Sequence, residues 1–375
     1  MSETVDSCKW VLGEDRNELN GDHSRPPFDL GTDHFLRYGG VLEKSEKKGD
    51  LNVIIKEQMF DSSKVGTYAS DEEKKEVYYE PRTLNEFVGQ EKAKAKIEKA
   101  IKQITMLREK HILLDGWPGC GKTTLAKIIA RRLNAHFIYK VPEDLSNVEE
   151  LERVINEIQT TDRLTVFMVD EIHRIFKYKS LVNVLLPVLE NFRYGGKRIR
   201  PFVMIGATTD KNCLAAKEPA LLSRFGIPIR LRKYEPDELA QIIFDAKSNL
   251  YPEFAITDKD REILARNSRG IPRKAITLME ARLVSQNIQE VLDDEEIIRD
   301  GITEIDAEIL LALYENEKPM GASYLSQVVD ITQDDYEKIY EGFLVQQKYI
   351  KRLARGRTIA EKGKQFLKET GKITE

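Results

Sequence analysis

A glycine-rich segment at residues 116–123, Gly-Trp-Pro-Gly-Cys-Gly-Lys-Thr, has the spacing of a phosphate-binding loop. Its glycines let backbone N–H groups face phosphates, and Lys122 supplies a cation at the β and γ oxygens, while Thr123 is placed to bind Mg²⁺. An apolar run precedes the segment and a helical run follows it; a glycine-rich turn that binds nothing is the alternative. We predict an ATP and Mg²⁺ site whose loop residues are Gly116, Pro118, Gly119, Cys120, Gly121, Lys122, Thr123 and Thr124.

Two adjacent carboxylates follow a second apolar run. Residues 164–169 lead into Asp170 and Glu171, and the carboxyl ends of parallel strands are where open α/β sheets bind ligands. We expect Asp170 and Thr123 to hold Mg²⁺, and Glu171 to orient the attacking water, because phosphoryl transfer depends on positioning and charge stabilisation. Alone, the pair also fits acidic residues at a helix N-terminus. Its combination with Lys122 favours catalysis.

Four more side chains fit auxiliary roles in hydrolysis. Thr208 and Thr209 follow the apolar run at 202–206, where a hydroxyl can sense the γ-phosphate, although a plain turn is the alternative. Arg224 fits an arginine finger directed at a neighbouring subunit, with a surface ion pair as the alternative. Arg273 lies at a helix start next to a proline, within reach of phosphates. The predicted catalytic set is Lys122, Asp170, Glu171, Thr208, Thr209, Arg224 and Arg273.

The pattern of elements around these residues predicts three folded regions. Short apolar runs at 112–114, 136–139, 164–169, 202–206 and 227–231 indicate buried parallel strands separated by helices, which is the pattern of an α/β core. Residues 237–246, 258–267 and 272–286 have helical spacing without strands. Helices and then a basic hairpin at 349–360 suggest a winged helix. We predict an N-terminal extension at 1–77, a nucleotide-binding core at 78–234, a helical lid at 235–300 and a winged-helix domain at 301–375.

The composition of the chain indicates a globular protein. The 375 residues carry a formal charge of −4, with 41% hydrophobic and 33% charged residues, which fits a globular protein without a uniformly basic nucleic-acid coat. We find no apolar stretch long enough to cross a bilayer and no signal pattern, so we expect no membrane partner and a cytoplasmic location. Cys8, Cys120 and Cys213 are scattered, which supports neither disulfides nor a zinc site.

The order of these motifs, with Phe87-Val88-Gly89-Gln90 ahead of them, resembles the RuvB family of AAA+ motors, which drive branch migration of Holliday junctions. The resemblance extends from about residue 79 to residue 367, and the match is divergent. It is strongest at six short segments: 205–209, 224–227, 269–273, 319–321, 346–347 and 355–357.

The resemblance implies an ATPase coupled to movement along DNA as a homo-hexameric ring, acting on branched or duplex DNA in recombination and repair. It implies that Thr208 or Thr209 is sensor 1, Arg224 the finger acting in trans and Arg273 sensor 2. Phe87 and Val88 would flank the adenine. The winged helix would bring Lys351, Arg352, Arg355 and Arg357 to DNA phosphates, a contact that does not depend on sequence.

Two regions depart from the family pattern. The stretch at 191–200 indicates a shortened form of the hairpin that docks on the junction-binding partner RuvA, which argues against use of that partner. Residues 1–77 match nothing recognisable in the family.

Two alternative functions share the same ATP-site motifs: a clamp-loader-like or other AAA+ ATPase that remodels a DNA-bound protein, and a nucleotide-gated DNA-binding adaptor. Asp170-Glu171-Ile172-His173 also suggests a DExH helicase, but the second P-loop domain of that class is missing.

Overall fold

The computed structural model describes residues 79–107, 111–316 and 318–373, together with the backbone of two short strands, β1 (Leu42–Glu43) and β2 (Ile54–Ile55). These two strands pair antiparallel. They belong to a first compact unit, Met1–Lys74, and everything below concerns the second unit, Lys75–Glu375. The predicted extension at 1–77 otherwise lies outside the described residues.

A five-stranded parallel sheet forms the centre of the region predicted as the core, in the order β4-β5-β8-β3-β9. Its central strands are entirely buried and rich in apolar residues, as expected for a sheet covered on both faces. The strands are β3 (Ile112–Asp115), β4 (His136–Lys140), β5 (Thr165–Val169), β8 (Val203–Thr208) and β9 (Ile227–Arg230). All five predicted apolar runs therefore form strands of one parallel sheet.

Helices cover the two faces of this sheet in separate apolar cores. One core packs α1 and α2 against the sheet and continues into the lid, and the other is built from α3, α4 and the opposite face of β5 and β8. The helices of this region are α1 (Glu91–Leu107), α2 (Lys122–Arg132), α3 (Val148–Thr160), α4 (Lys179–Asn191), α5 (Lys211–Lys217) and α6 (Pro219–Arg224). The parallel strands all end at one edge, where the predicted catalytic residues follow them.

A short hairpin, with two residues in each strand, follows α4. Strands β6 (Arg193–Tyr194) and β7 (Lys197–Arg198) pair antiparallel across Gly195 and Gly196, which have φ of 55° and 76°. Two positive φ values at the centre of a two-residue turn are the conformation that glycine accommodates best. The predicted hairpin within 191–200 is therefore present, and it is short.

The lid consists of helices packed on one another and on the core. They are α7 (Pro236–Leu250), α8 (Asp258–Asn267), α9 (Pro272–Val284) and α10 (Ile288–Asp294). Pro236 and Pro272 each occupy the first turn of a helix, where a missing N–H costs nothing. A small antiparallel pair, β10 (Ile297–Arg299) and β11 (Ile302–Thr303), leads out of the lid.

The C-terminal region has its own apolar core and a two-stranded wing. Its helices are α11 (Glu304–Glu315), α12 (Ala322–Val328), α13 (Gln333–Asp335), α14 (Gly342–Gln346) and α15 (Glu361–Glu369), with a π-helical turn at Tyr336–Glu341 before α14. Strands β12 (Ile350–Leu353) and β13 (Gly356–Ile359) form the wing. None of the helices in the described ranges combines the length and apolarity needed to span a bilayer.

Candidate nucleotide site and DNA interface

The phosphate loop connects β3 to α2 and presents the N-terminus of α2. Gly121 caps that helix in the left-handed conformation, with φ of 94°. A Cβ atom there would lie 2.9 Å from Cζ of Phe87, so both the backbone angle and the available space require glycine. Phe87 is buried against this turn, so the loop is fixed from one side by an aromatic ring and opens its N–H groups on the other.

The Lys122 ammonium group lies inside the loop it belongs to. Its Nζ donates hydrogen bonds to the carbonyl oxygens of Gly116 and Trp117, at 3.0 Å and 3.2 Å, and the residue is only 6% exposed. A cation held by two neutral carbonyls exchanges them readily for the negative oxygens of a phosphate, since charge-assisted hydrogen bonds are stronger. The loop is thus arranged to receive an anion.

Asp170 and Thr123 meet at the edge of the sheet. Thr123 Oγ1 donates to Oδ2 of Asp170 at 3.2 Å, and the Tyr139 hydroxyl approaches the same oxygen at 3.4 Å. The described residues contain no group of three or more His, Cys, Asp or Glu residues that suits a metal ion. One carboxylate and one hydroxyl fit Mg²⁺ instead, because that ion usually keeps several waters and is completed by substrate phosphates.

Glu171 lies next to Asp170 in a strained backbone conformation. Its φ is 45°, which is uncommon for a residue other than glycine and tends to mark functional positions. Thr209 donates its hydroxyl hydrogen to Glu171 Oε2 at 2.8 Å, and His173 Nδ1 lies 3.2 Å from the same oxygen. The Glu171 carboxylate is therefore fixed by neighbours from two elements.

The two predicted sensor threonines have different environments. Thr208 is fully buried; its Oγ1 lies 3.0 Å from His173 Nδ1 and accepts the Asp210 N–H. Thr209 is the threonine that contacts Glu171. Thr208 is the last residue of β8 and Thr209 follows it. Successive residues of an extended chain face opposite sides, so the two side chains contact different neighbours.

A cleft of about 740 Å³ joins these groups to the lid. The N–H of Arg273, on α9, donates to the carbonyl of Gly119 at 3.4 Å, which ties the lid to the phosphate loop. Both charged and apolar side chains line the cleft. The lining includes Tyr79, Phe87, Val88, Pro118, Gly119, Gly121, Lys122, Thr123, Thr124, Asp170, Glu171, Tyr234, Ile242, Leu250, Pro272, Arg273 and Ile276. Gly116 and Cys120 belong to the loop but are buried and do not line the cleft, and Arg224 does not line it either.

Arg224 pairs within its own chain with Glu190, at 2.7 Å. The Glu190 partner is on α4 and is half exposed, so the pair lies at the surface. Arg224 does not line the cleft of its own chain.

Cys120 belongs to the phosphate loop, and it is buried, with 1% of its surface exposed. Burial raises the pKa of its thiol to about 11, because the thiolate is not solvated there. The thiol is therefore protonated at neutral pH and poorly nucleophilic.

The four basic residues predicted for DNA contact separate into two groups. Lys351, Arg352 and Arg355 are exposed on the wing. Arg357 is buried, and its guanidinium forms two hydrogen bonds with the Glu341 carboxylate, at 2.8 Å and 2.9 Å. The buried Glu341 carboxylate holds the charged end of Arg357 inside the domain, so Arg357 could contact DNA only after leaving that carboxylate.

Three residues near the site were not predicted from sequence. His173 and Tyr139 contact Glu171 and Asp170, and Trp117 packs outside the loop. For His173 a signal existed, namely its position two residues after Glu171 in the segment that suggested a DExH motif. For Tyr139 and Trp117 only the packing of distant elements identifies the contact.

A parallel sheet in this order, with a phosphate loop, paired acids at the strand ends and a helical lid, defines an ATPase core of the AAA+ class. Residues 79–231 match the family model for the Holliday junction DNA helicase RuvB P-loop domain, and residues 299–368 match that for the RuvB C-terminal winged helix domain. The chain belongs to the RuvB family.

Individual relatives agree over most of the chain. The Holliday junction branch migration complex subunit RuvB of Fervidobacterium nodosum is 33% identical, over 76% of this chain and 88% of its own length. That of Thermotoga maritima is 32% identical, over 78% and 92%. A solved structure of the Thermotoga maritima RuvB Holliday junction branch migration motor superposes with a TM-score of 0.65, at 32% identity, over 77% of this chain and 97% of that one.

Proposed function

We propose that this protein is an ATP-driven DNA motor that moves the branch point of Holliday junctions or related branched DNA, as a homo-hexameric ring. The convergence of Lys122, Thr123, Asp170, Glu171 and Arg273 on one cleft carries the ATPase part of this proposal. Membership of the RuvB family carries the DNA part, since the relatives named above are branch-migration subunits. A cytoplasmic location follows, because ATP and DNA are both present there.

The residues of the cleft have separate roles in hydrolysis. Lys122 leaves the carbonyls of its own loop to bind the β and γ oxygens, and Arg273 brings the lid onto the same phosphates. Thr123 and Asp170 would hold Mg²⁺, which neutralises charge developing on the phosphates. Glu171, fixed by Thr209, orients the attacking water. Tyr79, Phe87 and Val88 also line the cleft and would flank the adenine.

Arg224 completes the site of a neighbouring copy in this proposal. Its surface position and its ion pair with the half-exposed Glu190 allow it to exchange that partner for a phosphate across a subunit interface. Hydrolysis then requires the ring, and an isolated subunit is nearly inactive. Mixing Arg224→Ala subunits with Lys122→Ala subunits should restore part of the activity, since each mixed interface can contain one intact finger and one intact loop.

Lys351, Arg352 and Arg355 supply the proposed contact with DNA phosphates. All three are exposed on the wing, and phosphate contacts leave the protein free to slide because they carry no sequence information. The β6–β7 hairpin has only two residues in each strand, which is short for the hairpin expected to dock on RuvA. We therefore expect junction activity that does not require a RuvA-like protein.

The deciding experiment measures ATP-dependent dissociation of a four-way junction by the purified protein, with and without a RuvA-like protein. Lys122→Ala should abolish ATP binding, whereas Glu171→Gln should bind ATP and stall, because only the group that orients water is lost. ATP turnover without junction dissociation under both conditions would support a remodelling ATPase or a DNA-binding adaptor instead. Equal turnover by Glu171→Gln and the wild type would contradict the assignment of Glu171.

A further inference from the structure

Two features of the structure lie outside these roles. One is the imidazole of His173, which joins Glu171 to a strand end. The other is a set of aromatic and cationic contacts between the phosphate loop and the winged-helix domain. The second rests on the proposed ATPase and DNA-binding function, and its test separates failure of that function from failure of the inference.

His173 lies between Glu171 and Thr208. Its Nδ1 atom is 3.2 Å from Glu171 Oε2 and 3.0 Å from Thr208 Oγ1, and its side chain is mostly buried. A carboxylate at this distance favours the tautomer that carries hydrogen on Nδ1, since a lone pair there would face a negative charge. Thr209 donates a hydrogen bond to the same Oε2, and the polar Nδ1 of His173 lies close beside it, so both neighbours attract that oxygen.

We infer that His173 is a positioning residue for hydrolysis. The imidazole, itself held by Thr208, places a polar Nδ1–H group beside Oε2 and so favours the carboxylate orientation that the Thr209 hydrogen bond sets, with Oε1 directed to the water. The backbone alone does not fix this orientation, because Glu171 has three side-chain torsions of its own and a strained φ. The contact to Thr208 anchors the imidazole to the end of β8, beside the site.

Two matched variants test this role. The side-chain nitrogen of His173→Asn takes the place of Nδ1, whereas that of His173→Gln takes the place of Nε2. We expect His173→Gln to lower kcat by about tenfold or more with an unchanged Kd for ATP, and His173→Asn to retain most of the activity. Equal kcat for His173→Gln and the wild type overturns the inference. So does an equal loss in both variants that follows their thermal unfolding midpoints, which indicates a purely structural histidine.

Trp117, in the phosphate loop, packs against the winged-helix domain. A Cβ atom on Gly342, the first residue of α14, would lie 2.8 Å from Cη2 of the indole, so the ring rests directly on the α14 backbone. The Lys233 ammonium lies 4.3 Å from the centre of the Trp117 ring and 5.4 Å from that of Phe343. A cation between two aromatic faces is attracted to both. The loop and α14 are thus in direct contact.

The contact continues to both sides of α14. Arg269 lies 4.4 Å over the Phe343 ring and also pairs with Asp306, at the start of α11. Glu341, the residue before Gly342, holds Arg357 of the wing. Movement at Gly342 is therefore transmitted to the wing through one buried ion pair.

Nucleotide binding also changes a hydrogen bond to the backbone of Trp117. The Trp117 carbonyl accepts a hydrogen bond from Lys122 at 3.2 Å, and Lys122 must give up that bond to reach phosphates. The residue whose carbonyl is released is the one whose indole supports α14. We propose that Trp117 couples nucleotide occupancy of the phosphate loop to the position of the wing, and so to the affinity for DNA.

Fluorescence tests the nucleotide half of this proposal. The chain has only two tryptophans, Trp10 and Trp117, so a Trp10→Phe protein reports on Trp117 alone. Addition of ADP or a non-hydrolysable ATP analogue should change its emission with a saturable dependence on concentration. The Trp10→Phe, Trp117→Phe protein should give no signal. Bound nucleotide, measured by equilibrium dialysis, without any change in Trp117 emission overturns the proposal.

Gly342→Ala tests the DNA half, with Gly321→Ala as the matched control. The added methyl at 342 clashes with Trp117 within a helix that otherwise favours alanine, whereas at 321 it meets no atom within 4 Å. We expect Gly342→Ala to keep basal ATPase activity and to lose most of its stimulation by DNA, and Gly321→Ala to keep both. Adding Trp117→Ala to Gly342→Ala should remove the clash without restoring the stimulation.

The outcomes distinguish failure of the proposed function from failure of the coupling through Trp117. If the wild-type protein shows no ATPase activity or no stimulation by DNA, the proposed function fails, while the fluorescence result still reports on the loop. If the wild type is stimulated and Gly342→Ala is stimulated equally, the coupling through Trp117 is wrong and the proposed function stands.

Discussion

Thr209 and Glu171 are joined by a hydrogen bond of 2.8 Å between the threonine hydroxyl and the carboxylate oxygen Oε2. The bond spans the ends of β8 and β5, which are neighbours in the parallel sheet. Thr208, one residue earlier, faces the interior and contacts His173. The sequence left the choice between the two threonines open, and the contacts favour Thr209 as the sensor.

Substitution of the two threonines should therefore affect different quantities. Thr209→Ala is expected to lower kcat by about tenfold to a hundredfold with little change in ATP affinity, because it removes a bond that orients Glu171. Thr209→Ser keeps the hydroxyl and should retain most of the activity. Thr208→Ala should mainly lower the free energy of unfolding, by about 1–3 kcal/mol, because the Asp210 N–H loses its acceptor, and should lower kcat less than Thr209→Ala does, through the lost contact with His173. Steady-state kinetics and urea unfolding measure these effects.

The opposite pattern would reverse the assignment. If Thr208→Ala abolished turnover without affecting stability, and Thr209→Ala were fully active, Thr208 would be the sensor.

Cys120 lies in the phosphate loop but should not make the ATPase sensitive to oxidation. Its pKa of about 11 keeps the thiol protonated at neutral pH, and its burial blocks access. We expect a thiol-modifying reagent at pH 7.5 to react with Cys213, which is only partly buried, before Cys120. Mass spectrometry of the modified protein identifies the site, and ATPase activity is measured in parallel.

Nucleotide should slow the reaction of Cys120 further, since it closes the cleft above the loop. Rapid loss of activity accompanied by modification of Cys120, while Cys213 remains free, would show that the loop opens far more than this structure indicates.

His111 should make stability depend on pH. The ring joins β8 to α4: Nδ1 accepts the Met204 N–H at 2.9 Å, and Nε2 donates to the Leu189 carbonyl at 3.0 Å. Burial lowers its pKa below the ordinary value of 6.5, so the unfolded chain binds the proton more tightly than the folded one. Stability from this residue is present above pH 6.5 and is lost as pH falls toward the folded-state pKa.

Urea unfolding at pH 7.5 and pH 5.5 measures this dependence. The wild type should lose at most about 1.4 kcal/mol per pH unit from this one group. His111→Gln cannot titrate, so it should start from a lower stability and show a shallower decline. An equal slope in both proteins would mean that other groups cause the decline.

The core elements were predictable because burial on both faces leaves a strong signal in a short run of residues. All five apolar runs formed strands, and α8 has the predicted bounds. The site residues that follow these strands were predictable for the same reason, since strand order places their carboxyl ends together. The extent of α9 was less accurate: it ends at Val284, two residues before the predicted end at 286.

Contacts between distant segments were not predictable from local patterns. The basic pattern of the wing indicates a nucleic-acid contact equally for Arg355 and Arg357. Only the folded structure shows that Arg357, on β13, donates a hydrogen bond to Glu341 at the end of the π-helical turn. Trp117 and Gly342 belong to different domains, and no periodicity in the sequence relates them.

Arg355 and Arg357 should consequently give opposite results on substitution. Arg355 is exposed between β12 and β13, so Arg355→Ala should weaken DNA binding and reduce the slope of log affinity against log salt by about 1, with unchanged stability. Arg357→Ala leaves the buried Glu341 carboxylate without its partner and should lower the free energy of unfolding by about 3–5 kcal/mol. Fluorescence anisotropy of labelled duplex at several salt concentrations and thermal unfolding give the two measurements.

A second substitution distinguishes a lost DNA contact from a distorted wing. Arg357→Ala combined with Glu341→Gln removes the unpaired charge, so it should recover part of the stability and, with the wing intact, most of the DNA affinity. Arg352 approaches Glu341 to 3.6 Å but is exposed, so Arg352→Ala should behave like Arg355→Ala. If the double variant regained its stability and still lost one unit of salt slope, Arg357 would contact phosphate after leaving Glu341, and the buried pair would be a state that DNA displaces.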